Sequence, residues 1–301
     1  MNEISLGLRA RVHGPAGGDH APGAGVQIVA YSLPGQHSPE SGKFLSPEPA
    51  AGQAWHYNCL NYGYKPFCAG FGMIAAAIVH GHARSLQEPL GMKIWTVANQ
   101  KGGVGKTTTT VSLAGLLAQR GHAALMVDLD PQGSLSSYFR LDPDRLDPSV
   151  YSLFQARANQ APLADLDALV RPTAFPGLHL LPASTALATL DRQLGAQDGM
   201  GLVIAQALAG LRERFEYVFI DCPPVLGILM VNALAACHHL IIPVQTEFLA
   251  LKGLERMLHT LQMVGKAKGV MPPYTIMPTM FDKRTRASIE SLRALREQHG
   301  A

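Results

Sequence analysis

The stretch ANQKGGVGKTTTT, residues 98–110, decides the fold. An apolar run, Ile94-Trp95-Thr96-Val97-Ala98, leads into it. A helical pattern, Val111, Leu113, Leu116 and Leu117, leads out, and Gly121 ends it. Strand, glycine loop and helix in that order are the setting of a phosphate-binding loop. Gly102, Gly103 and Gly105 let successive backbone N–H groups turn inward with no β-carbon in a phosphate's path. The following helix adds the positive end of its dipole. In such a loop Val104 and Thr108 lie beside the phosphates, Lys106 reaches the β- and γ-phosphates, and the Thr107 hydroxyl binds Mg²⁺. An incidental Lys-Thr after a glycine-rich turn does not account for the agreement of both flanks.

A second signal lies downstream. Tyr217-Val218-Phe219-Ile220 ends in Asp221, four apolar residues and a carboxylate at a strand end, suited to holding Mg²⁺ through water. Cys222-Pro223-Pro224 then turns the chain. A third apolar run, Ala123 to Val127, ends at Asp128 and continues Leu129-Asp130-Pro131-Gln132-Gly133-Ser134. Carboxylates at the C-terminal ends of parallel strands sit where α/β sheets bind ligands. Further strands are expected at Leu178–Pro182, His238–Val244 and Tyr274–Met280. Helices are expected at Val150–Ala158, Ala186–Leu194, Leu202–Phe215, Ala250–Val264 and Ser288–His299. His179 reads as structural, and His238-His239 as a polar strand end.

Composition narrows the classes. The chain has 301 residues, 47% hydrophobic, with a net charge of +3, so no global basic field announces nucleic acid. Cys59, Cys68, Cys222 and Cys237 show no C-x-x-C spacing, which argues against a zinc site or a disulfide framework. The apolar run Cys68–Val79 is shorter than the about 20 residues a membrane span needs. The expectation is a soluble cytoplasmic protein.

The loop departs from the general pattern G-x-x-x-x-G-K-[ST] at Gln100, where glycine is usual, and adds Lys101. In this form it resembles the deviant Walker A loop of the ParA/MinD ATPases, nearer the ParA branch. The resemblance implies a doubly wound, mostly parallel α/β sheet of the P-loop NTPase class, with ATP and Mg²⁺ as ligands and an ATP-dependent homodimer. It implies that Lys101 reaches the partner copy's nucleotide. A cation supplied in trans to a γ-phosphate is worth roughly 10³–10⁵ in rate. DLDPQGS resembles the family's switch I, so Asp130 would orient the attacking water and Asp128 would help hold the metal shell. IDCPP resembles switch II. PTMFDKRTRAS resembles the segment near the adenine, which assigns Pro278 and Thr279 to the base. The nitrogenase iron protein shares this loop class and needs two separated cysteines per subunit. Cys222 and Cys237 are the candidates here, and ParA-like chains commonly carry cysteine at the first position without a cluster.

Residues 1–91 differ from the rest. They hold 14 of the 30 glycines and 8 of the 21 prolines, and only Met73–Val79 shows a brief helical period. Two readings fit: an extension that does not offset its own ordering entropy, or translation that begins at Met92, directly before the first strand and where ParA-like chains begin. Position favours the second. Residues 92–301 are expected to form the ATPase domain, shortened at the C-terminus by about one strand and two helices relative to the family. The implied function is a dimerising Mg-ATP hydrolase that positions a cargo, either plasmid or chromosome DNA or a chemotaxis protein cluster. A ParB-like or chemotaxis-cluster activator goes with it. Lys266, Lys268, Lys283, Arg284, Arg286, Arg293 and Arg296 offer non-specific DNA contact, or only solvated helix faces. No C-terminal amphipathic helix of the MinD kind is present, so membrane binding is not expected. The alternative is a non-catalytic nucleotide-binding or docking module.

Overall fold

The computed structural model describes residues 27–28, 91–162, 165–190, 199–268 and 271–299. Eight strands form one sheet: β1 (Gln27–Ile28), β2 (Lys93–Val97), β3 (Ala124–Asp128), β4 (Arg171–Pro172), β5 (Leu178–Leu181), β6 (Tyr217–Asp221), β7 (His239–Gln245) and β8 (Tyr274–Thr279). Their spatial order is β1-β8-β7-β2-β6-β3-β5-β4. Every pairing is parallel except β4 with β5. The helices are α1 (Lys106–Gln119), α2 (Ser134–Tyr138), α3 (Val150–Ala158), α4 (Leu166–Leu169), α5 (Val203–Ala209), α6 (Ile228–Ala236), α7 (Phe248–Lys268) and α8 (Arg286–His299).

Both faces of the central strands are covered, which is why those strands read as unbroken apolar runs. Period-two alternation sorts their side chains between two cores. Leu125, Val127, Val218 and Ile220 join one core with residues of α3, α5, α6 and α7. Trp95, Val97, Met126 and Phe219 join the other with Val111, Leu113 and Leu117 of α1. Trp95 meets Phe219 edge-on at 5.4 Å between ring centroids. Thr96 is the polar exception in β2. Its buried hydroxyl donates to the Ala233 carbonyl of α6 at 3.1 Å, so no buried donor is wasted.

Most expected elements lie within two residues of their predicted bounds. Two helices differ. The Leu202–Phe215 pattern becomes a 3₁₀ turn at Met200–Leu202 and a short α5, and its last turns unwind from Gly210. Gly210 sits where helix propagation costs most backbone entropy. The Ala186–Leu194 pattern is a 3₁₀ turn at Thr185–Thr189, and residues 191–198 lie outside the described residues. The histidine pair also divides. His238 is exposed and its Nδ1 accepts the Ile94 N–H at 3.0 Å. His239 is buried, with Nε2 2.8 Å from the Thr275 hydroxyl, so it is an internal link rather than a polar strand end.

Within the N-terminal stretch, Gln27 and Ile28 pair with Thr275 and Ile276 at the β8 edge. The Met73–Val79 helix, Cys59 and Cys68 lie outside the described residues. Among the described residues no helix is long and apolar enough to cross a membrane.

Candidate nucleotide site

The parallel strands β2, β3 and β6 end side by side, and their ends make the site. β2 delivers the loop 98–105. Asn99 manages the departure from the sheet: its Nδ2 donates to the Pro243 carbonyl on β7 at 2.7 Å, and its Oδ1 accepts the Lys101 N–H at 2.9 Å. Gly103 and Gly105 adopt φ of 73° and 90°, a region that L side chains rarely enter. A β-carbon built on Gly102, Gly103 or Gly105 would meet nothing within 4 Å, so the cradle opens into free space. On its other side the loop is clamped by β8, because the Thr279 hydroxyl donates to the Val104 carbonyl at 2.9 Å.

The two lysines sit differently. Lys106, at the start of α1, is buried and turns its Nζ back to the Lys101 carbonyl at 3.4 Å. Lys101 is half-buried, and its ammonium pairs with Glu247 and donates to Gln245 Oε1 at 3.3 Å. Both partners follow from the end of β7, so Lys101 is held by its own chain. Thr108 is half-buried in the first turn of α1.

Beneath the cradle, Thr107 Oγ1 donates to Asp221 Oδ2 at 2.6 Å. The other carboxylate oxygen, Oδ1, is buried with no hydrogen-bond partner. Burial, reinforced by the neighbouring Asp128 charge, pushes the Asp221 carboxyl up to about 8, against the pull of Thr107 and Lys106. An oxygen left bare in that setting is a place for a cation or its water. The hydroxyl, the carboxylate, the buried lysine and the open glycine cradle together fit a magnesium-bound polyphosphate.

Asp128 is paired in register with Asp221 across β3 and β6. Its oxygens are committed: Oδ1 accepts the Asp130 N–H at 3.1 Å, and Oδ2 accepts the N–H and hydroxyl of Ser136, both at 2.8 Å. Burial pushes this carboxyl up to about 6, with the Ser136 hydrogen bonds pulling the other way. Asp130 is half-buried, and its Oδ1 accepts the Gln132 N–H at 3.0 Å. Pro278 and Thr279 end β8, Pro278 in register with Val244. The structure therefore brings the glycine loop, Lys106, Thr107, Asp221, Asp128 and Thr279 together. Ser136 was missed because it lies eight residues past Asp128 in the short, serine-rich α2, which no spacing rule singles out. Gln245 and Glu247 were missed because their partner is 144 or more residues away. Cys222 and Cys237 are both buried, and burial raises the Cys222 pKa.

Comparison with known proteins agrees with this geometry. A family model described as AAA domain matches residues 92–270. The chromosome partitioning protein ParA of Myxococcus xanthus is 38% identical over 195 residues, which is 64% of this chain and 66% of that protein. The sporulation initiation inhibitor protein Soj of Bacillus subtilis is 34% identical over 206 residues, 68% of this chain and 79% of that protein. Cobyrinic acid a,c-diamide synthase from Mycobacterium smegmatis, solved with bound ATP analog and magnesium, superposes with a TM-score of 0.61 at 36% identity. That superposition covers 69% of this chain and 82% of the synthase.

Proposed function

This chain belongs to the AAA domain family, among its ParA/MinD-type ATPases, and we propose that it binds and hydrolyses Mg-ATP as a pair of copies and uses that cycle to position a cargo. The observation that carries the reading is the 2.6 Å bond between Thr107 and Asp221 beneath a glycine loop open to space, with one Asp221 oxygen left bare. The catalytic unit is residues 92–301.

In this reading the backbone N–H groups of Gly102, Gly103, Val104 and Gly105 hold the phosphates. Lys106 leaves the Lys101 carbonyl for the β- and γ-phosphate oxygens, and Thr108 lies beside the loop. Thr107 and Asp221 hold the magnesium. Magnesium bound there offsets charge on the phosphate oxygens. Asp130 orients the attacking water, and Asp128 supports the metal side by fixing the segment that carries Asp130. Pro278 and Thr279 flank the base. Lys101 leaves Glu247 and faces the partner copy's γ-phosphate. The pairing is supported by apolar side chains exposed after the ends of β6 and β7: Val225 64%, Leu226 44%, Phe248 70% and Leu249 69%. Large exposed apolar groups beside a site mark contact surfaces.

The Myxococcus xanthus relative is named for chromosome partitioning, so DNA is the first cargo to test. Lys283, Arg293 and Arg296 are exposed around α8 and supply phosphate contacts. A chemotaxis protein cluster is the other cargo, supported by the wording of WTVANQKGGVGKTTTTVSLAGLLAQRG (residues 95–121). The activating partner is ParB-like in the first case and part of the cluster in the second.

The test is Mg-ATP turnover by the full chain and by Lys106→Ala. Turnover is expected only in the former, and turnover that survives the substitution refutes the site. Asp130→Ala should trap an ATP-dependent dimer visible by light scattering, and a persistent monomer refutes the pairing. At 100 times its Kd, Mg-ATP should stabilise the fold by about 2.7 kcal/mol. No thermal shift would leave a docking module without nucleotide.

A further inference from the structure

The loop's one departure from the general phosphate-loop pattern has a structural partner. Gln100 stands where glycine is usual, and its φ is not positive, so the backbone there does not need glycine. Its Nε2 donates to Thr260 Oγ1 at 2.8 Å. Thr260 is buried near the middle of α7, a helix of 21 residues. The neighbours of Gln100 are tied to the same unit. Asn99 holds the Pro243 carbonyl, and Lys101 holds Gln245 and Glu247, directly before α7. A β-carbon on Gly253 of α7 would come within 3.5 Å of Lys101 Cβ and 3.6 Å of Asn99 Oδ1. The second half of the loop answers to different elements, β8 through Thr279 and α1.

We propose that Gln100 is a positioning residue: its tether to Thr260 fixes the first half of the loop to α7, so that α7 and the Lys101 backbone move as one body. The proposal rests on the reading of Lys101 as the cation that reaches a partner's triphosphate. The phosphate cradle at Gly102–Gly105 lies outside the tether. Loss of the tether therefore leaves nucleotide capture in place and disorders only the delivery of Lys101. A partner that shifts α7 would change turnover through the same link, without touching the nucleotide.

The experiment compares the full chain with Gln100→Ala, Gln100→Gly, Thr260→Val and Thr260→Ser. For Gln100→Ala, Gln100→Gly and Thr260→Val, Mg-ATP affinity of the protein below its dimerisation concentration should change less than about 3-fold, while kcat falls about 10-fold. A step lost only from the transition state gives that split. Thr260→Ser keeps the hydroxyl and should retain the parental kcat. The double variant Gln100→Ala/Thr260→Val should be no worse than either single one, as members of one contact behave. Backbone amides of 100 and 101 should exchange hydrogen faster in the tether variants without any nucleotide, while those of 102–108 stay unchanged. Equal losses of affinity and kcat, additive single effects, or exchange that rises across the whole loop would overturn the tether. Should the parent chain show no turnover, the exchange pattern still decides the tether, and the lost turnover counts against the ATPase reading instead.

Discussion

Asp128 and Asp221 occupy matched positions at the ends of neighbouring strands, yet they are placed for different work. Asp221 has one oxygen on Thr107 and one bare. Asp128 has both oxygens filled by Ser136 and the Asp130 backbone. Strand position selects a carboxylate facing the ligand end of the sheet. The donors that reach it then leave one oxygen over on Asp221, the metal seat proposed above, and turn Asp128 into a fastening for the next loop. Both carboxyls are raised by burial, and the one with fewer donors is raised further.

The contrast can be broken by substitution. Asp221→Asn keeps the shape but weakens the seat for magnesium, and ATP turnover should fall by about 10²–10³-fold, or roughly 3–4 kcal/mol of barrier. The metal-free variant should melt no lower than the parent near neutral pH, because the cost of burying an ionisable carboxyl has been removed. If Asp221→Asn melts much lower and still turns over, the two carboxylates have been assigned the wrong way round. Asp128→Ala should show the reverse emphasis. It strands the Ser136 N–H and hydroxyl and the Asp130 N–H, and should cost about 2–3 kcal/mol in urea unfolding. A loss under about 0.5 kcal/mol would show that this carboxylate fastens nothing.

A titration sharpens the same contrast. A carboxyl raised in the folded state stabilises below its unfolded pKa, and that stability is lost as pH rises through the folded value. Asp128 contributes over about pH 4 to 6 and Asp221 over about pH 4 to 8. From pH 6 to 8 the fall belongs mainly to Asp221, so the metal-free melting temperature should drop by about 2–6 °C there. Asp221→Asn should flatten that window. A drop that survives the substitution assigns it to another group. The smallest effect is expected from Ser136→Ala, about 1 kcal/mol, because Asp128 keeps the Ser136 N–H while the Ala183 N–H loses its acceptor. A cost as large as that of Asp128→Ala would place the fastening in the serine instead.

Much of the site was legible because its pieces are local in sequence. Strand, glycines and Lys106-Thr107 fall within one stretch, and Asp128 and Asp221 each close an apolar run. Buried parallel strands announce themselves as such runs, so β2, β3, β6, β7 and β8 were placed closely. What escaped depends on distance along the chain. No spacing rule joins Gln100 to Thr260 or Lys101 to Glu247. The helix expected at Leu202–Phe215 failed for another reason: its apolar period runs through Gly210, and the period outlasts the backbone's willingness to follow it.

The contact between Lys101 and Glu247 has a consequence for encounter. A cation seated on a carboxylate of its own chain presents little field beyond the Debye length of about 8 Å in physiological salt. In the proposed pair, two nucleotide-free copies would therefore approach without mutual repulsion from these lysines. Phe248 and Leu249, exposed directly after Glu247, are then the groups that dominate first touch.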